Sequence, residues 1–183
     1  MPTTILTFGH GSASQDDLVR LVEGAGITAV VDVRRFPGSR RHPHVAREEL
    51  ASWLPDAGVD YRWEPRLGGR RRLDRGDESD AWWQVDAFRA YAAYTRTQEF
   101  GAGLADLLDG ARARPDGTVT IMCSESLWWR CHRRIVADVL TLLHGVEVEH
   151  LGHDGRRTPH VPAPGARPSD DGLRYPAEPP SPQ

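Results

Sequence analysis

The sequence predicts an α/β fold, a three-layer α/β/α arrangement around a mostly parallel sheet of five strands. Short apolar stretches recur at Ile5 to Phe8, Ala29 to Val33 and Val119 to Met122, and between them apolar residues repeat at helical spacing. Strands that alternate with helices in this way pair in parallel and are covered on both faces. The length, 183 residues, suits one domain with a sizeable core. We read residues 1–160 as that domain and residues 161–183, dominated by Pro, Gly, Asp and Arg, as a disordered tail.

Each element has its own signal. Ile5 to Phe8 forms a short buried strand that runs into Gly9, His10, Gly11 and Ser12. Ser14 then caps a helix, with Asp17 three residues on as its capping-box partner and Leu18, Leu21 and Val22 on one face. Ala29 to Val33 is a second strand, apolar enough to be buried on both sides, and its exit through Arg34, Pro37, Gly38 and Arg40 is loop chemistry. Leu50, Trp53 and Leu54 give the next helix its apolar face. Val59, Tyr61 and Trp63 alternate with polar residues, the period of a half-exposed strand. The polar stretch from Arg66 to Asp80, with Gly68 and Gly69, reads as a long flexible loop or lid. A helix beginning near Phe88 restarts at a Thr97 cap and carries Phe100, Leu104, Leu107 and Leu108. Val119 to Met122 is the fourth strand, Ile135 and Val139 mark the following helix, and Val146 to His150 is the fifth strand. Alternating strands three and five belong at the edges and apolar strands one, two and four at the centre. The expected order is therefore 3-2-1-4-5, a Rossmann-like sheet whose ligand crevice opens beyond the carboxyl ends of strands one and four.

Composition narrows the chemistry. The chain has no lysine, and all 23 basic residues are arginine. Schiff-base lysine chemistry and the P-loop lysine are excluded. A net charge of −3 argues against bulk nucleic-acid binding, yet arginines cluster at 34–41, 66–72 and 130–134, as suits phosphate or carboxylate recognition. No apolar run approaches the roughly 20 residues of a membrane span. The first residues lack the features of a signal peptide, and two cysteines eight positions apart do not form a secreted disulfide framework, so a cytoplasmic protein without membrane partners is expected.

The residues that could carry chemistry gather on the predicted rim. Cys123 ends a buried strand just before a helix start, where helix dipole and Arg130 or Arg133 would favour a thiolate. The spacing to Arg130 is one residue longer than the Cys-x5-Arg loop of cysteine phosphatases. Glu125 could serve as acid or base, or simply sit at the helix N-terminus, and His10 and His132 could move protons. Cys131 lies on the apolar face of its helix and reads as a packed core residue. Ser12, Asp32, Arg34, Arg35, Ser39, Arg40, Gly68, Gly69, Arg130 and Arg133 form the candidate anion-binding set, Asp32 being open to an ion pair with Arg34 or Arg40. A metal site using Cys123, Cys131, His132 or His150 is not expected, because the C-x7-C-H spacing matches no strong zinc pattern.

With these pieces assembled, the chain resembles the bacterial and archaeal family known as domain of unknown function 488. The resemblance rests on Thr7 to Ser12, Val31 to Arg40, Leu67 to Gly69, Phe88 to Tyr91, Met122 to Glu125 and Cys131 to Arg133. It implies a compact α/β domain and brings no reaction with it. The leading expectation is an enzyme acting on an anionic or phosphate-bearing small molecule, a nucleotide among them, through Cys123 and Glu125. A hydrolase or transferase would fit. The rivals are a phosphate-gripping module for nucleotides or nucleic acid, and a redox or metal sensor built on the cysteines. The sequence names neither a cofactor nor an oligomeric state.

Overall fold

The computed structural model describes residues 4–178. In chain order its principal elements are β1 (Thr4–Gly9), α1 (Gln15–Gly24), β2 (Ile27–Asp32), α2 (Arg47–Asp56), β3 (Asp60–Trp63), α3 (Asp86–Tyr94), α4 (Gln98–Arg112), β4 (Thr118–Cys123), α5 (Arg133–His144), β5 (Glu147–Leu151), β6 (Arg157–Pro159), β7 (Arg167–Ser169) and β8 (Gly172–Arg174). The local signals correspond to local geometry. Ser14 caps α1 in a full capping box with Asp17, and the Thr97 hydroxyl accepts the Phe100 N–H at the start of α4.

The central sheet has six strands in the order β3-β2-β4-β1-β5-β6, all parallel except β6, which returns antiparallel on β5. This corrects the expected order 3-2-1-4-5 in two places: β4 lies between β2 and β1, and a sixth strand covers β5. Apolar patterning separates central strands from edges. It does not rank three equally apolar central strands among themselves, and β6 is too short and polar to show a period. The adjacency of β1 and β4 that defines the crevice is present.

The sheet separates two cores. Leu6, Phe8, Val30 and Met122 face one side and pack against α1 and α2 through Leu18, Val22, Leu50 and Leu54. Ile5, Val31, Val119 and Ile121 face the other and pack against α3, α4 and α5 through Tyr91, Phe100, Leu107, Ile135 and Val139. The helix following β1 and the helix following β4 thus lie on opposite faces of neighbouring strands. That arrangement opens a crevice at their carboxyl ends.

Residues 161–178 do not behave as the expected tail. Ala163, Ala166, Leu173 and Tyr175 are buried in the second core, and β7 and β8 form a hairpin. Composition misleads here because four well-placed residues suffice to dock a Pro/Gly-rich segment. The remainder of the expected tail, 179–183, lies outside the described residues. Among the described residues no helix is long and apolar enough to cross a membrane.

Candidate functional site

The exits of β1 and β4 are joined by their backbones. The His10 N–H donates to the Cys123 carbonyl and the Gly11 N–H to the Ser124 carbonyl, each at 2.9 Å. Gly9 has to be glycine, since a Cβ there would collide with the Glu125 carbonyl oxygen. Between these exits, the β2 exit, the Gly68–Gly69 turn and the start of α5 lies a cleft of about 650 Å³. That volume is in the range of small-molecule sites.

One wall is built on Asp32, which is fully buried. Its Oδ1 accepts from Arg34 N at 3.1 Å and Nε at 2.8 Å, and its Oδ2 accepts from Arg34 Nη2 and the Tyr61 hydroxyl, both at 2.7 Å. Arg34 is therefore a fixed, neutralised group. Its Nη1 lies 3.3 Å from His10 Nε2, while His10 Nδ1 lies 2.9 Å from the Gly11 carbonyl. Burial lowers the His10 pKa to about 4. A neutral ring with Nδ1–H donating to Gly11 and Nε2 accepting from Arg34 satisfies both contacts. His10 is thus an orienting residue whose two nitrogens are already engaged.

The opposite wall and the mouth hold free cations. Arg35, Arg70 and Arg130 line the cleft, and none forms an ion pair with a carboxylate among the described residues. Arg35 Nη1 donates to the Arg70 carbonyl at 2.8 Å, and both guanidinium groups lie over the Phe36 ring, at 5.3 and 5.8 Å from its centroid. Phe36 itself is 61% exposed. Arg70 adopts a left-handed φ of 57°, unusual for a side chain of its size. Gly68 lets the turn press against Arg35, because a Cβ would fall 2.7 Å from the Arg35 nitrogen.

The floor holds Cys123, Cys131 and His132. His132 Nδ1 lies 3.6 Å from the Cys131 sulfur and 3.9 Å from the Cys123 sulfur, and the three donor atoms all fall within 4.8 Å of one another. They are the atoms best placed to hold a soft metal ion. Cys131 and His132 immediately precede α5, which brings the helix N-terminus against the pair. Arg133, 1% exposed, donates from Nε to the Cys131 sulfur at 3.3 Å, from Nη1 to the Thr7 hydroxyl at 3.3 Å and from Nη2 to the Glu125 carbonyl. The two thiols are coupled. Burial opposes ionisation of Cys131, but the hydrogen bond from Cys123 and the charge and donors of Arg133 outweigh it and lower its pKa. The hydrogen bond to Cys131, together with burial, raises that of Cys123. The more acidic thiol is therefore Cys131, the residue expected to be a core anchor. It is buried in the core as expected, and its sulfur also faces the cleft.

Behind the floor runs a chain of polar groups of which the sequence analysis singled out only His150, and that as a metal-ligand candidate. From Thr7 Oγ1, contacts continue to His150 Nδ1 at 2.7 Å, from His150 Nε2 to His160 Nδ1 at 2.9 Å, and from His160 Nε2 to Asp138 Oδ1 at 2.7 Å. Asp138 also accepts from the Tyr175 hydroxyl at 2.7 Å and from Ala163 N at 3.1 Å. One set of tautomers lets every donor point the same way, from Arg133 through Thr7, His150 and His160 to Asp138. Trp128 stacks flat on His150 at 4.1 Å. The available sequence signal was polar residues at buried strand and helix positions, Thr7, Asp138 and His150.

Of the residues expected at the site, the structure brings His10, Arg34, Arg35, Ser39, Gly69, Cys123, Glu125, Arg130 and His132 to the cleft. Asp32, Gly68 and Arg133 stand behind it and position others. Arg40 is exposed and outside it. Ser12 faces a separate groove with Arg20 and His153, because the backbone turns away after Gly11, which has a φ of 52°. Glu125 accepts the Leu127 N–H at 3.0 Å and so shapes its own loop. Phe36, His42, Arg70, Phe88 and Tyr91 also line the cleft.

No curated protein and no solved structure matches the chain. The family model described as domain of unknown function DUF488 matches residues 14–140, well over half the chain and including β2, β4, both cysteines and His132. The chain belongs to that family.

Proposed function

We propose that this protein is an enzyme, a hydrolase or transferase, acting on a phosphate-bearing small molecule of about nucleotide size. The observation that carries this reading is the set of guanidinium groups with no carboxylate partner among the described residues, Arg35, Arg70 and Arg130, around a cleft with two thiols and an imidazole at its floor. Guanidinium groups without a carboxylate partner have donors free for an anion and suit its bidentate recognition. The exposed face of Phe36, between two of those arginines, offers a stacking surface for a planar group such as a base. The reacting centre is the Cys123–Cys131 pair. His10 is not the proton carrier of this reading, because burial and fixed partners hold it neutral with both nitrogens engaged. Glu125, tied to the Leu127 N–H, shapes the loop.

The test is binding and turnover of a panel of nucleoside mono-, di- and triphosphates. Arg35→Ala and Arg130→Ala are each expected to weaken binding by roughly 10- to 100-fold, the worth of a charged hydrogen bond. Replacing both cysteines by serine is expected to abolish turnover while binding persists. Turnover that survives loss of both thiols, or binding indifferent to both arginines, would overturn the proposal.

A further inference from the structure

The floor has a property that anion binding does not require. Three soft donors converge from two segments: Cys123 from the end of β4, and Cys131 and His132 from the residues before α5. Both thiols are buried and all three residues line the cleft. A tetrahedral zinc site with Zn–S near 2.3 Å and Zn–N near 2.0 Å separates nitrogen from sulfur by about 3.5 Å. Here the His132 Nδ1–sulfur separations are 3.6 and 3.9 Å. No carboxylate belongs to the cluster, so the donor set favours a thiophilic ion over magnesium or calcium.

Ring orientation and local clearance support an occupant. The His132 ring is held edge-on to Tyr91 at 4.8 Å between centroids, and it is Nδ1 that is turned toward both sulfurs, the nitrogen a ligand ring would present. Gly69 keeps space open beside that nitrogen, since a Cβ at this position would lie 3.0 Å from His132 Nδ1. The Arg133 Nε–H donated to the Cys131 sulfur supplies the kind of outer hydrogen bond that orients a metal-bound thiolate.

We propose that Cys123, Cys131 and His132 form a three-donor centre for a divalent cation of the zinc class, with its fourth position open to the arginine-lined cleft. Both sulfurs bind as thiolates, any proton still held by either thiol leaving to solvent, so two thiolates and one divalent ion give a neutral centre with no change of oxidation state. Three protein ligands and one open position are the pattern of catalytic rather than structural zinc. The proposal concerns the floor of the site already assigned and deepens that reading by naming what its donors hold.

The test is titration of the full chain, reduced and stripped of metal, with Co²⁺ followed by Zn²⁺ competition. One Co²⁺ per chain, sulfur-to-cobalt charge-transfer absorption and tetrahedral d–d bands are expected. His132→Ala removes the nitrogen and leaves both thiols in place. It should weaken Co²⁺ by more than the roughly 10- to 100-fold that loss of an outer partner costs. Cys123→Ser and Cys131→Ser should each remove part of the charge-transfer band. Should either serine variant fail to fold, protection of both wild-type thiols from alkylation by stoichiometric Zn²⁺ decides the matter. Absence of the charge-transfer band, or Co²⁺ affinity unchanged in His132→Ala, would overturn the proposal. These readouts use no nucleotide, so failure of the anion-binding reading leaves them standing, and their failure leaves the nucleotide panel to be judged separately.

Discussion

Tyr175 is a decisive residue for whether the C-terminal segment is part of the fold. Its side chain is fully buried, its ring packs 5.1 Å from Trp83 and 6.4 Å from Trp82, and its hydroxyl donates to Asp138 at 2.7 Å. Tyr175→Phe removes only the hydroxyl and leaves a buried carboxylate short of one donor, which should cost about 1–3 kcal/mol. Tyr175→Ala also empties the ring's volume, a further ~3–5 kcal/mol if its surroundings relax only partly. The larger change therefore approaches much of the roughly 5–15 kcal/mol that holds a domain together. For a chain of this size, the smaller one should lower Tm by roughly 2–4 °C per kcal/mol. Urea unfolding followed by tryptophan fluorescence measures both, and Trp82 and Trp83 lie close enough to report the site directly. If Tyr175→Ala unfolds within about 0.5 kcal/mol of the parent protein, the segment is not docked and the burial argument is wrong.

Two further outcomes follow from buried charge. Asp32→Ala should cost about 3–5 kcal/mol, because it strands the Arg34 guanidinium, 6% exposed, without its carboxylate. The double change Asp32→Leu with Arg34→Met should recover most of that loss, and a double change as damaging as the single one would refute the account. The second outcome concerns acid. Burial lowers His10 to about 4 and, with help from the neighbouring His160 ring and the Arg133 charge, His150 to about 3. In the unfolded chain both titrate near 6.5, so below that pH the unfolded state binds protons that the native state refuses. Stability should be full above about pH 6.5 and fall on acidification by about 1.4 kcal/mol per unit for each histidine. Urea midpoints at pH 7.5 and 5.5 should then differ by about 2–3 kcal/mol. A flat profile would show that these rings are not buried neutral.

What the sequence disclosed and what it withheld divide along a physical line. Local devices were legible, because Ser14 with Asp17 and Thr97 with Phe100 act within a single turn. The cleft was legible to the extent that it follows from strand ends, so His10, Arg34, Cys123 and His132 could be placed on one rim. Strand order was not, since Ile5 to Phe8, Ala29 to Val33 and Val119 to Met122 carry the same apolar signature whichever sits in the middle. The part played by Arg133 was out of reach for a related reason. Which way α5 presents its first turn depends on the course of the loop before it, and here the side chain points inward to Thr7 and Cys131. Ser12 shows the reverse case, a rim residue in sequence that one left-handed glycine turns away. The C-terminal segment was missed because its few anchors, above all Leu173 and Tyr175, are diluted by residues of disordered composition.

The one-way chain from Arg133 to Asp138 bears on how the molecule is made. β1 and β4, whose exits frame the cleft, lie more than half the chain apart, so their pairing is a late, non-local event in a chain synthesised from its N-terminus. Asp138 gains the Ala163 amide and the Tyr175 hydroxyl only after residues 163 and 175 have been synthesised. Until then the far end of the chain of contacts that begins at Arg133 and Thr7 lacks two of the donors that hold Asp138 in place. Vectorial synthesis thus delivers the two cysteines before the segment that completes the polar chain behind them.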